Sequence, residues 1–76
     1  MAQQARLQSD LLAIIVNGAP RQVHSPHLAA LLAELGYGDQ KVATALNGTF
    51  IAARARAGTM LEAGDEVEIV APRQGG

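Results

Sequence analysis

The chain has 76 residues and a formal net charge of −1 at pH 7, with 49% apolar residues, two aromatics (Tyr37 and Phe50) and no cysteine. At that length there is room for one domain, which hides only about 60% of the surface of its unfolded chain. Aliphatic side chains must therefore supply the core, no disulfide or thiolate metal site is available, and there is no basic field to attract nucleic acid or anionic lipid.

Along the chain, residues 1–10 are mostly polar or small and lack an apolar stripe, and they are expected to form a loose tail outside a domain spanning 11–71. The longest apolar run, 11–16, is far short of the roughly 20 residues that span a bilayer, and no charged-then-apolar leader opens the chain. A soluble, cytoplasmic protein that does not bind membranes is the expectation.

Residues 11–17 are aliphatic and residues 21–24 alternate. The turn chemistry of Asn17-Gly18-Ala19-Pro20 between them predicts a β-hairpin. Ser25-Pro26 has the form of an N-cap with proline at the first helical position. Leu28, Leu31, Leu32 and Leu35 then fall on one helical stripe, and Gly36 follows where a left-handed C-terminal cap is wanted.

A third strand is expected over 42–46, a tight turn at Asn47-Gly48 and a fourth strand over 50–52. Residues 53–59 mix helix-favouring alanine and arginine with Gly58, which predicts an irregular connection with one helical turn. A turn at 62–65 leads into Glu66-Val67-Glu68-Ile69-Val70, where Val67 and Ile69 share one face and Glu66 and Glu68 the other. The order ββαβββ is met by an α+β fold: one mixed sheet of about five strands with the leucine stripe of the helix across one face. By fold analogy this is the ubiquitin-like β-grasp arrangement, with the first and last strands parallel at the sheet centre. Leu28, Leu31, Leu32, Leu35, Val67 and Ile69 are its expected core.

After Val70 the periodicity stops at Ala71-Pro72-Arg73-Gln74-Gly75-Gly76. From Pro72 the last five residues, 72–76, reach about 17 Å if extended at ~3.4 Å each, enough to thread a cleft in a partner. Glycine provides the slenderness and freedom in φ that chemistry on a terminal carboxylate requires. Two terminal glycines are also what a plain disordered end looks like. The combination with a β-grasp pattern is the rarer and more informative feature.

Other candidates carry plainer readings. His24 and His27 straddle Pro26 without a companion at ligand spacing, so no metal site is expected. Asp65, Glu66 and Glu68 could dock a basic surface but read first as a solvated strand face. Arg54, Arg56 and Arg73 read first as solubilising surface charge, with Arg73 set apart by its place in the tail.

Four segments then carry a resemblance: Ile15-Val16-Asn17-Gly18, the leucine-rich stretch 28–35, Val-Ala-Thr-Ala-Leu-Asn-Gly over 42–48, and Leu-Glu-Ala-Gly-Asp-Glu-Val-Glu-Ile-Val over 61–70. In this order, closed by Gly75-Gly76, they resemble the ThiS family of thiamine-biosynthesis sulfur carriers over roughly residues 12–76. The resemblance implies a protein that is a substrate of enzymes rather than an enzyme, with no bound cofactor. A ubiquitin-activating-like adenylyltransferase would use ATP and magnesium to adenylate the Gly76 carboxylate. Sulfur from a persulfide donor would displace AMP, and the thiocarboxylate would pass to a thiazole synthase. Arg73, Gln74 and Gly75 are the residues by which the tail would be recognised. Family members often carry Pro-Arg and then Trp after the fourth strand, where this chain has Ala52-Ala53-Arg54-Ala55-Arg56. Three-glycine endings also occur, and Gln74 stands at the first of those positions here.

Three other readings remain open at this point. One is a carrier for another pathway, like the small subunit of molybdopterin synthase; the others are a ubiquitin-like modifier joined to lysines and a β-grasp binding module without acyl chemistry. If residues 1–10 are a loose tail, their deletion leaves the melting temperature unchanged in a thermal unfolding scan; a clear fall would assign them a place in the fold.

Overall fold

The computed structural model describes residues 11–72; the expected N-terminal tail over 1–10 and the tail residues Arg73, Gln74, Gly75 and Gly76 lie outside the described residues. Two hairpins flank one helix: β1 (Leu12–Val16) and β2 (Ala19–Val23), then α1 (Leu28–Glu34), then β3 (Ala43–Leu46) and β4 (Thr49–Ile51). A 3-10 helix (Ala53–Gly58) then leads to β5 (Glu66–Val70). The five strands form one sheet in the order β2-β1-β5-β3-β4. β5 lies parallel to β1 and antiparallel to β3, so the first and last strands meet at the centre, as expected by fold analogy.

Both hairpins close through the same two-residue turn. Asn17 and Gly18 have φ of 51° and 83°, and Asn47 and Gly48 have 50° and 85°, the paired left-handed geometry that matches the twist of the flanking strands. The first turn is therefore tighter than the four-residue span expected from 17–20. Ala19 and Pro20 already belong to β2, opposite Val16 and Ile15. Proline is tolerated there because β2 is an edge strand.

The helix begins later than expected, and with a different cap. His27, not Ser25, is the N-cap: its Nδ1 accepts from the Ala30 N–H at 3.1 Å. The next orphan donor, the Leu28 N–H, reaches the Thr59 carbonyl at 3.0 Å, and the Leu61 N–H returns to the Pro26 carbonyl at 3.0 Å. The helix start is thus stitched to the segment after the 3-10 helix. Gly36, at φ 91°, ends the helix as expected. The Gly36 N–H donates to Ala33 and the Tyr37 N–H to Leu32, the bond pair that closes a helix through a left-handed residue.

The alternation of β1 and β5 sends Ile14, Val16, Val67 and Ile69 inward, where with Val23 they meet Leu28, Leu31 and Leu32 of the helix and Leu61. Leu35 is half-buried at the rim rather than fully enclosed. Thr44 is the buried exception on β3. Its hydroxyl donates to the Ile51 carbonyl at 2.8 Å and accepts from Arg56 Nε at 3.0 Å, while Arg56 Nη2 donates to the Val42 carbonyl at 2.6 Å. Arg56 is therefore a bracket fixing the 3-10 helix to β3, which corrects its reading as a solubilising surface charge.

Ser25 is buried for another purpose. Its hydroxyl donates to the Glu34 carboxylate, which also accepts the His24 N–H at 3.1 Å, tying the strand-to-helix junction to the far end of the helix. The Ser25 hydroxyl, helped by the His24 N–H and the nearby imidazole, holds the Glu34 carboxyl below its ordinary 4.5 against an opposing desolvation effect. A carboxyl with a lowered folded value contributes stability above its unfolded value and loses it as pH falls through the folded one. In thermal melts, wild type should exceed Glu34→Gln at neutral pH, with the gap closing as the solution is acidified below about 4.5.

Candidate functional site

The site suggested by the sequence is the end of the chain, and β5 decides how that end leaves the domain. β5 is held on both sides. On the β3 side its residues Val67 to Val70 pair with Leu46 to Ala43. On the β1 side the Ile15 N–H donates to Asp65 O and the Asn17 N–H to Val67 O, both at 2.9 Å. There β1 turns back into its hairpin, two residues short of where β5 still needs a partner.

The Asn17 side chain fills that gap. Its Oδ1 accepts the Ile69 N–H at 2.8 Å and its Nδ2 donates to the Ile69 carbonyl at 3.1 Å, so one carboxamide does what a further residue of β1 would do. Asn17 was read from sequence only as a turn residue; an Asn at the first position of a tight turn gives no signal of which strand its amide will meet.

Asn47 plays the matching part at the other end of β5. Its N–H donates to the Glu66 carbonyl at 2.7 Å, its Oδ1 accepts the Glu66 N–H at 2.8 Å, and its Nδ2 donates to Asp65 Oδ1 at 3.0 Å. Asp65 Oδ2 also accepts the Glu62 N–H at 2.7 Å, across the turn in which Gly64 has φ 87°. Of the three carboxylates considered as a docking patch, Asp65 is thus committed to the turn, while Glu66 and Glu68 stand exposed on the sheet face away from the helix.

Past Val70, Ala71 and Pro72 are exposed and border a shallow cleft completed by Gln40 and Lys41 from the connection between α1 and β3. The chain therefore reaches the surface straight from the central strand of the sheet. Gly75 and Gly76, with Arg73 and Gln74, follow beyond the described residues. His24 and His27 are not brought together as a ligand pair: His27 caps the helix and the His24 backbone binds Glu34. Among the described residues no group of three or more His, Asp or Glu side chains is placed to hold a metal ion, and no helix is long and apolar enough to cross a membrane.

A mixed five-stranded sheet with β5 at its centre and one main helix across a face is the β-grasp fold. The sequence model of the ThiS family matches residues 14–76, and the chain belongs to that family. Its structure is similar to the crystal structure of the thiamine biosynthesis protein ThiS from Geobacter metallireducens. The TM-score is 0.73 and the identity 29%, with 86% of this chain and 100% of that one covered. No curated protein matches the chain. Family and structural likeness together make it a small sulfur carrier of thiamine biosynthesis rather than a catalyst.

Replacing Asn17 by glycine keeps the left-handed turn geometry while deleting the amide. Asn17→Gly should lower stability by about 1–3 kcal/mol through the unpaired Ile69 groups. Hydrogen exchange should show the Ile69 amide losing protection while Ile14 keeps its own; unchanged exchange at Ile69 would remove Asn17 from this role.

Proposed function

We propose that the chain carries sulfur as a thiocarboxylate on Gly76. The observation that carries this reading is that the family match continues through Gly75-Gly76, directly beyond the point where the centrally held β5 releases the chain to the surface. A free carboxylate is a poor electrophile and must be given a good leaving group before sulfur can attack it; the proposal assigns that activation to a partner enzyme.

In the proposed sequence, a carboxylate oxygen of Gly76 attacks the α-phosphorus of ATP and pyrophosphate leaves. A ubiquitin-activating-like adenylyltransferase, with magnesium on the nucleotide, performs this step. A persulfide sulfur then attacks the acyl carbon and AMP leaves; cleavage of the remaining S–S bond by a second thiol frees the thiocarboxylate. Gly75 keeps the backbone slender enough to pass through a narrow channel, and Arg73 and Gln74 offer the nearest side chains for recognition of the tail. A thiazole synthase receives the sulfur. A reducing cytoplasm suits this chemistry and a chain without cysteine.

The test is the intact mass of the protein after incubation with ATP, magnesium, a sulfur donor and the activating enzyme. The expected result is a gain of about 16 Da, one oxygen exchanged for sulfur, that is lost when Gly76 is deleted. No gain with an activating enzyme shown to work on another carrier would overturn the proposal in favour of a binding module without acyl chemistry.

A further inference from the structure

The two turns Asn17-Gly18 and Asn47-Gly48 are the same dipeptide in nearly the same backbone conformation, at φ 51° and 83° against 50° and 85°. An asparagine followed by glycine is the arrangement most open to spontaneous loss of the side-chain amide, because the following N–H is not shielded by a Cβ. The glycine nitrogen, losing its proton, attacks the asparagine Cγ; the Cγ–Nδ2 bond breaks and ammonia leaves. Water then opens the resulting five-membered imide at either carbonyl, giving aspartate or a β-linked isoaspartate. Only water is consumed and nothing is oxidised or reduced.

For that attack the carboxamide must leave its hydrogen-bond partners, and here the two turns differ. Asn17 bonds through both amide atoms to Ile69, whose side chain is 5% exposed and whose backbone is paired to β3 on its other edge. Releasing it requires the end of the central strand to part from its neighbour. The Asn47 N–H holds the Glu66 carbonyl at 2.7 Å, but its carboxamide bonds to the side chain of Asp65 and to the N–H of Glu66 through solvent-exposed bonds at the start of β5 beside the Gly64 turn. Exposed side-chain bonds of that kind open in local fluctuations, whereas the part-buried bonds of Asn17 to the Ile69 backbone open with a larger unit of the fold.

We infer that Asn47 is a site of spontaneous deamidation in the folded protein and that Asn17 is shielded from the same reaction by the backbone of β5. The product has a structural consequence. A carboxylate oxygen replaces the Nδ2 that now donates to Asp65 Oδ1 at 3.0 Å, setting two anions against each other at the start of β5. An isoaspartate adds a backbone carbon to a turn whose two-residue length sets Leu46 opposite Thr49. Modification at Asn47 therefore loosens the start of the strand that carries the tail, while the Asn17 clamp near its end is left intact.

The test follows the full chain at mildly alkaline pH over days, with peptide mapping by mass spectrometry to read the NH2-for-OH exchange at each asparagine. In the folded protein Asn47 should convert about tenfold faster than Asn17, and in denaturing urea the two rates should converge. Equal rates in the folded protein, faster conversion of Asn17, or no conversion at Asn47 while both sites convert in urea would each overturn the inference. A second arm makes the product directly: Asn47→Asp should lower the melting temperature, and the loss should shrink in an Asp65→Asn background. An unchanged melting temperature in Asn47→Asp would refute the repulsion at the β5 start.

Discussion

The fold depends on keeping β5 paired along both edges. It is the last strand to be made, it lies at the sheet centre, and it contributes Val67 and Ile69 to the core. A central strand with an unpaired stretch would leave buried backbone groups without partners, each a loss of about 1–3 kcal/mol. β1 is too short to pair with all of it, and the carboxamide of Asn17 completes the ladder at Ile69. Asn47 secures the opposite end through Asp65 and Glu66. The two turn asparagines, one from each hairpin, thus hold one strand at its two ends.

Around that strand the domain compensates for a small aliphatic core with hydrogen-bonded brackets. Three leucines of a seven-residue helix cover the inner face, and a helix so short depends on its caps and its packing rather than on intrinsic propensity. His27 and Gly36 close its ends, Ser25 and Glu34 bind it to the preceding junction, and Arg56 joins the 3-10 helix to β3 through Thr44 and Val42. The caps are local, whereas the Ser25–Glu34 and Arg56–Thr44 bonds join separate elements, which helps a chain with a small core keep a defined shape.

Firmness in β5 serves the carrier role directly. Under the chemistry proposed for Gly76 the protein needs no pocket of its own; what that chemistry asks of the domain is a fixed point from which the tail starts. Ile69 and Val70 still pair with β3, and Pro72, two residues further on, has no N–H to continue a ladder. Glu66, Glu68, Val70 and Phe50 are exposed, and among the described residues no element covers that outer face of the sheet.

Much of this was legible in the chain itself, because it rests on local rules. The period of two in 66–70, the leucine stripe over 28–35 and the Asn-Gly pairs each specify an element from neighbouring residues alone, and with ThiS-like segments in order they point to the β-grasp fold and to the Gly75-Gly76 end. What the local rules missed were partners distant in sequence. Ser25 and His27 both satisfy the composition of an N-cap, and Glu34, ten residues from His24, decided between them by engaging Ser25. Arg56 looks like any surface arginine until β3 folds beneath it. Asn17 meets Ile69 across 52 residues of chain, a pairing that exists only once β1 and β5 lie side by side. Turn and strand identities are properties of neighbours along the chain, whereas the destination of a side-chain hydrogen bond is a property of neighbours in space.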